Sequence, residues 1–360
     1  MNRLERLKRG FAAAGIRPNA RLGQNFLLDV NQVRFIARQA ELDARDVVLE
    51  VGPGTGFLSK EILAAGATLV AVEYDRKLFE YASQELRTAP EDRFRPLPGG
   101  GFSADGTGDG SAACPVSPPP APPPPPGAGR RRPDGTPDVV LLHTDILAGK
   151  NAVNPHVLEA VRAALDRRLA LDPGAGRLKC VSNLPYSAGA PFLMNLFASE
   201  FPWERAVFLI QWEVAEKMCA RPGSAAYGGL AVTVALGGSA KIIRKVPPPV
   251  FWPRPRVDSA VARVDFHPAA ERLALPWKAL RAVTSAAFSG RRKRLANALK
   301  GIVAREAVEA WLAAEKLDPE TRGQTLSPRQ FLALARLRDC PKTSCASPGG
   351  VESANSHIFC

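Results

Sequence analysis

The chain lacks any run of about 18 apolar residues, the length a helix needs to cross a bilayer, so no membrane span and no membrane partner is expected. Its first residues, "MNRLERLKRGFAAAGIRP", have neither the apolar core nor the small-residue cleavage site of a secretion signal, and a soluble, non-secreted protein is the expectation. Cysteine is scarce and unpatterned. Cys114, Cys180 and Cys219 are scattered, which argues against a disulfide framework and for a reducing compartment. Cys340, Cys345, His357 and Cys360 crowd the end of the chain, but their spacing is no standard zinc pattern and the surrounding segment reads as a linker. Residues 339–360 are therefore expected to form a disordered tail, and no metal is expected. Acidic residues are also in deficit: 35 Asp and Glu stand against 48 Lys and Arg, a formal charge of +13. That balance favours a polyanionic partner, nucleic acid first, through counterion release; an Arg-rich coding bias is the alternative source of the charge.

What is present is enough to build one main domain and one lesser one, with 46% hydrophobic residues over 360 positions. Five short β-branched runs predict strands: "DVVLEVG" from Asp46, "TLVAVEYD" from Thr68, "DVVLLHTD" from Asp138, "LKCVSN" from Leu178 and "RAVFLIQ" from Arg205. Helical periodicity lies between several of them, as in Val33, Ile36, Ala37 and Ala40, with Asp29 or Asn31 as the cap. Strands alternating with helices predict an α/β fold with a parallel, doubly wound sheet. Residues 95–137, with "PVSPPPAPPPPPGAGRRRPDG", can supply neither helix nor strand ladder and are expected to be an inserted disordered loop. Beyond Pro268 only helical signals remain. The expected division is a domain over 1–267, a helical domain over 268–338 and the tail.

Four landmarks fall at the carboxyl ends of the predicted strands, where open α/β sheets bind ligands. The first is the turn "LEVGPGTGFLS", with Gly52, Gly54 and Gly56 ahead of a helix, where the backbone can approach a ligand closely and free amides are available. It reads G-x-G-x-G, not the G-x-G-x-x-G of dinucleotide enzymes, so a nicotinamide enzyme is disfavoured. The others are Glu73, suited to accept hydrogen bonds from both ribose hydroxyls of an adenosine, Asp145, and Asn183 in "VSNLPYSAGAP". An adenosine cofactor held without a phosphate-binding Lys suggests S-adenosylmethionine. Asn183, Leu184, Pro185 and Tyr186 then form a catalytic group for an exocyclic base amine. The Asn183 amide and the Leu184 carbonyl would accept the amine's hydrogens, Pro185 would fix that carbonyl, and Tyr186 would stack on the base. Catalysis would rest on positioning, with the base out of any stack.

The motifs "RLGQNFLLD", "LEVGPGTGFLS", "AVEYD", "TDIL", "NLPYSAGAPFL", "FWPRPRVDSAV" and "AFSGRRKRLANAL", in this order, resemble those of the small-subunit ribosomal RNA adenine N6,N6-dimethyltransferases. The similarity covers about 21–94 and 139–338. It implies a Rossmann-like S-adenosylmethionine-dependent methyltransferase domain followed by a smaller helical domain. By the resemblance Asn25 and Leu27 contact the cofactor, Gly52 lies against its methionine part, Glu73 holds the ribose, Asp145 meets the adenine and Asn183 stands at the point of transfer. Phe251 would help Tyr186 enclose the target base, with a proline-flanked packing aromatic as the alternative, and Arg291, Arg292, Lys293 and Arg294, on what is expected to be a basic helix, would meet rRNA phosphates, with a solvated helix face as the alternative.

The resemblance further implies dimethylation of two adjacent adenines near the 3′ end of small-subunit rRNA, by a monomer acting on a pre-30S-type assembly intermediate. The cytoplasm is the expected location and an organelle the alternative. Two rival readings stay open. One is the related large-subunit rRNA adenine methyltransferase of the macrolide-resistance type, which shares the cofactor motifs and the proline-rich "FxPxPxV" segment. The other is a non-catalytic nucleic-acid-binding assembly or transcription factor on the same fold. The proline insertion, the long link from Leu147 to Arg177 and the cysteine-bearing tail depart from the family pattern, and none removes a motif residue.

Overall fold

The computed structural model describes residues 3–19, 22–87, 95–96, 102–103, 139–149, 152–174, 176–185 and 189–339. The chain begins with helix α1 (Arg3–Ala13), whose Leu7 and Phe11 are buried one turn apart, and a two-residue strand β1 (Phe26–Leu27). Asp29 then caps α2 (Val30–Gln39), its carboxylate accepting the N–H groups of Asn31 and Gln32, while Val33 and Ile36 turn inward. Strand β2 (Asp46–Val51), helix α3 (Phe57–Ala64), strand β3 (Thr68–Glu73) and helix α4 (Arg76–Arg87) follow. Every residue of β2 and β3 is buried, the pattern of strands covered on both faces.

After α4 come two-residue strands β4 (Arg95–Pro96) and β5 (Phe102–Ser103), then β6 (Val139–His143), α5 (Pro155–Leu171), β7 (Arg177–Asn183), α6 (Gly189–Ala198) and β8 (Trp203–Gln211). Helices α7 (Trp212–Met218) and α8 (Gly229–Gly237), strands β9 (Gly238–Val246), β10 (Phe251–Trp252) and β11 (Ser259–Phe266), and helix α9 (Ala269–Leu273) complete this part. The sheet order is β4-β5-β6-β3-β2-β7-β8-β11-β9, and β1 pairs separately with β10. All five predicted strands are present and parallel to one another.

Two expectations need correction. The sheet is mixed, because β11 runs antiparallel to both β8 and β9. The inserted segment also contributes strand: β5 pairs antiparallel with β6, and β4 with β5, with Pro96 at the sheet edge, where a missing N–H is tolerated. The proline run, Arg130 to Arg132 and the cysteine-bearing tail lie outside the described residues.

The chain divides into two compact units, 1–275 and 276–360, so the boundary falls after α9 and not at Pro268. The reason is Arg272, a buried residue of α9. Its guanidinium donates to the carbonyls of Phe197 (2.9 Å), in the last turn of α6, and of Ser199 (3.3 Å) and Phe201, in the segment that follows it. The second unit contains α10 (Trp277–Ser289), α11 (Leu295–Ala298), α12 (Arg305–Ala314) and α13 (Pro328–Asp339). Leu280, Val283, Val308, Leu312, Phe331 and Leu334 are buried there, and Phe288 packs on Phe331 at 5.3 Å. The basic residues 291–294 do not lie on a helix, contrary to expectation. α10 ends at Ser289, the Lys293 N–H turns back to the Gly290 carbonyl (2.8 Å), and all four side chains are exposed in the turn before α11.

Candidate active site

Sheet order reverses between β2 and β7, because the chain proceeds from β2 to β3 and β6 on one side and later fills β7 and β8 on the other. A cleft forms at such a switch point. Backbone pairing of β2 with β7 runs from Asp46 and Arg177 to Leu49 and Cys180. Farther along, the Val51 N–H bonds instead to the Ser182 hydroxyl (2.8 Å). A cleft of about 380 Å³ lies at the carboxyl ends of these strands.

The glycine turn forms one wall. Gly52 and Gly54 have φ of 69° and 52°, a region costly for side-chain-bearing residues. Space is equally restrictive: a Cβ on Gly52 would lie 3.3 Å from Pro185, and one on Gly54 3.1 Å from the Phe26 ring. The glycine turn and the Asn-Leu-Pro segment thus pack against each other across the split in the sheet.

Glu73 ends β3 almost fully buried, with Oε2 accepting the Gly54 N–H (3.2 Å) and Oε1 the Asp75 N–H (3.0 Å). Burial outweighs these bonds and pushes its pKa up to about 7. Behind it Glu50, buried in β2, accepts a hydrogen bond from the Ser59 hydroxyl (2.6 Å), and burial raises its pKa to about 8. The exposed Asp145 accepts the Leu147 N–H (2.9 Å) and its carbonyl accepts from Asn154 Nδ2 (3.0 Å), which closes the turn after β6. At the end of β7, Asn183 Nδ2 donates to the Asn25 carbonyl (3.1 Å). With its donor so engaged, the amide oxygen of Asn183 is the group left to accept.

Asn25, Gly52, Gly54, Glu73, Asp145, Asn183, Leu184 and Pro185 all line the cleft. Three others do not. Leu27 and Phe251, paired across β1 and β10, are 6% and 4% exposed within the main apolar core, so Phe251 packs inward and presents no free face to a base. Gly56 instead precedes α3 with φ of 71° and shapes the helix start. Tyr186 lies outside the described residues. The basic residues 291–294 belong to the second unit. Sequence reasoning missed Gln24, Tyr74 and Asp75. Gln24 Nε2 donates to Asp75 (3.1 Å) and its Oε1 accepts from the Asn19 N–H (2.8 Å), tying the N-terminal segment to the end of β3. Tyr74 lines the cleft with 59% of its surface exposed. The signal for both Tyr74 and Asp75 was their place directly after a strand-ending acid.

The donor set discriminates among ligands. Among the described residues that line the cleft there is no Lys or Arg, while Glu73, Asp75 and Asp145 are there. Such a site suits an adenosine carrying a positive charge and opposes a polyphosphate. S-adenosylmethionine, with its sulfonium and without phosphates, fits it.

The family model for ribosomal RNA adenine dimethylases matches residues 15–94 and 132–339. The chain belongs to this family. Among relatives of this dimethylase, a ribosomal RNA small subunit methyltransferase A from Acidothermus cellulolyticus is 32% identical over 90% of each chain. Another of that name, from Kineococcus radiotolerans, is 34% identical over 93% of this chain and 91% of its own. Among solved structures, a dimethyladenosine transferase from Plasmodium falciparum aligns with a TM-score of 0.55 at 17% identity, covering 85% of this chain and 94% of its own. The 23S rRNA methyltransferase ErmE aligns at 0.51 and 20% identity, covering 88% and 100%. At those identities the two structures establish the methyltransferase fold alone.

Proposed function

We propose that this dimethylase transfers methyl groups from S-adenosylmethionine to the exocyclic N6 amines of two adjacent adenines near the 3′ end of small-subunit rRNA, during ribosome assembly. One observation carries the reading: Asn183 stands in the same cleft as the glycine turn and the buried Glu73, its amide orientation set by Asn25. The names of the relatives point to the small subunit over the large.

When bound, S-adenosylmethionine supplies an electrophilic methyl group on a sulfonium. Glu73 would hold the ribose hydroxyls, and the Gly54 and Asp75 amides keep its carboxylate in place. Gly52 would leave room for the methionine part, and Asp145 would border the adenine end. An adenine N6 is a weak nucleophile because its lone pair is delocalised into the ring. Acceptance of its two hydrogens by Asn183 Oδ1 and the Leu184 carbonyl would localise that pair and aim it at the methyl carbon. Pro185 restricts the backbone that carries this carbonyl. The amine loses one proton per transfer, and repetition on two adenines gives four methyl groups.

The substrate is a pre-30S-type particle, met by a monomer in the cytoplasm. Among the described residues no helix is long and apolar enough to cross a membrane. The test is methyl transfer from labelled cofactor to under-methylated small subunits, large subunits and free rRNA in parallel, followed by nucleoside analysis. Dimethyladenosine on small subunits alone is expected. Label on large-subunit RNA would move the assignment to the resistance-type activity, and absence of label with cofactor binding intact would leave a binding factor. Asn183→Ala is expected to lower transfer by at least about a hundredfold with RNA affinity within a few fold; equal loss of both would remove Asn183 from the reacting centre.

A further inference from the structure

We propose that α1 and the loop after β10 form a second RNA-contact surface on the methyltransferase unit, beside the mouth of the cleft, which grips phosphates flanking the target adenine. This rests on the reading of the chain as an RNA methyltransferase, but it concerns residues outside the reacting centre. α1 lies wholly ahead of the segment that the family model matches, which starts at residue 15.

Three observations carry it. The first is attachment. Leu7, Phe11 and Ile16 pack with Phe26 and Leu78, two residues that line the cleft. Phe11 meets the rings of Phe26 (5.0 Å) and Tyr81 (5.2 Å) edge-on and approaches Trp252 at 5.8 Å. Lys77 Nζ ties down the following turn by donating to the Gly15 carbonyl (2.7 Å). The helix is therefore fixed against the cleft wall.

The second is charge. With Leu7 and Phe11 inward, the helix exposes Arg6, Lys8 and Arg9, against one acid, Glu5. Arg254 and Arg256 are exposed in the loop that leaves β10, whose pairing with β1 brings it to the same wall. None of these five cations is paired with a carboxylate among the described residues.

The third is the ring between the two groups. Trp252 is partly exposed, and Lys8 Nζ sits 5.8 Å from its centroid. A partly exposed aromatic bracketed by cations without carboxylate partners suits a nucleotide chain, with phosphates on the cations and a base against the exposed part of the indole. The described residues lining the cleft include no Lys or Arg, so cations at its rim would neutralise a strand that enters it.

The experiment uses the full-length protein with under-methylated small subunits, titrated at several salt concentrations. The triple variant Arg6→Gln, Lys8→Gln, Arg9→Gln should lower RNA affinity by roughly tenfold at moderate salt and flatten the log–log salt slope by about 2, since each single-strand phosphate contact contributes about 0.7. Cofactor affinity should stay at the parent value. The pair Arg254→Gln, Arg256→Gln, on a separate element, should flatten the slope by about 1.4 on the same scale. The pair decides the matter if the triple variant loses cofactor binding through misfolding. Parent-like affinity and slope in correctly folded variants of both kinds would overturn the proposal. Failure of the parent itself to bind these particles would overturn the RNA methyltransferase reading instead.

Discussion

Glu73 must be an anion to serve as a strong double acceptor, yet burial favours its protonated form up to about pH 7. Two amides already donate to it, and ribose hydroxyls would add donors that also favour the charged form. Ligand binding then couples to proton release. Cofactor affinity, followed by calorimetry, is expected to rise between about pH 6 and 8 by up to tenfold per unit, and Glu73→Gln should be weaker and flat with pH. The sign for stability is opposite. The folded-state value lies above the ordinary 4.5, so the stabilisation is complete below the ordinary value and is lost as pH rises through about 7. An affinity that falls with pH in this window would mean that the neutral acid binds the cofactor.

Two glycines of one turn separate ligand contact from helix geometry, and the element that decides between them is the passage from β2 into α3. Both have positive φ, so alanine at either should cost about 1–2 kcal/mol in thermal or denaturant unfolding. Only Gly54 faces the cleft, and a methyl group there would push on Phe26. Gly54→Ala is therefore expected to weaken cofactor binding by roughly tenfold, and Gly56→Ala by less than about twofold; matching losses would place Gly56 against the ligand. The sequence told these elements apart unevenly. β2, β3, β6, β7 and β8 were readable as apolar β-branched runs because buried parallel strands have no polar face. Their ends then located Glu73, Asp145 and Asn183. β9, with Lys241, Arg244 and Lys245 in its ladder, carries the polar pattern of an edge and gave no such signal. The basic run at 291–294 read as helix because charge does not show that Gly290 ends α10. Phe251 read as either a clamp or a packing aromatic because its partner Leu27 is remote in sequence, and tertiary pairing reveals that the pair is core.

At the scale of the whole chain, the described cleft-lining residues fall between Leu22 and Pro185, inside the unit that ends at Leu275. The helical signals beyond Pro268 were legible, but the boundary was not, because α9 looks like the start of a helical domain while Arg272 fastens it to the end of α6. That difference has a measurable consequence. A fragment of residues 1–275 should fold and bind S-adenosylmethionine with full-length affinity. A fragment of residues 1–267 strips Arg272 from the Phe197, Ser199 and Phe201 carbonyls and should be less stable by about 2–4 kcal/mol, the scale of losing several bonds to one charged group. The longer fragment also lacks the exposed turn 291–294 but keeps α1 and the loop after β10. Its RNA affinity should fall and its salt slope should flatten without either vanishing. Equal stability of the two fragments would detach α9 from the methyltransferase unit, and a complete loss of salt-dependent binding in the longer one would confine RNA contact to the helical unit.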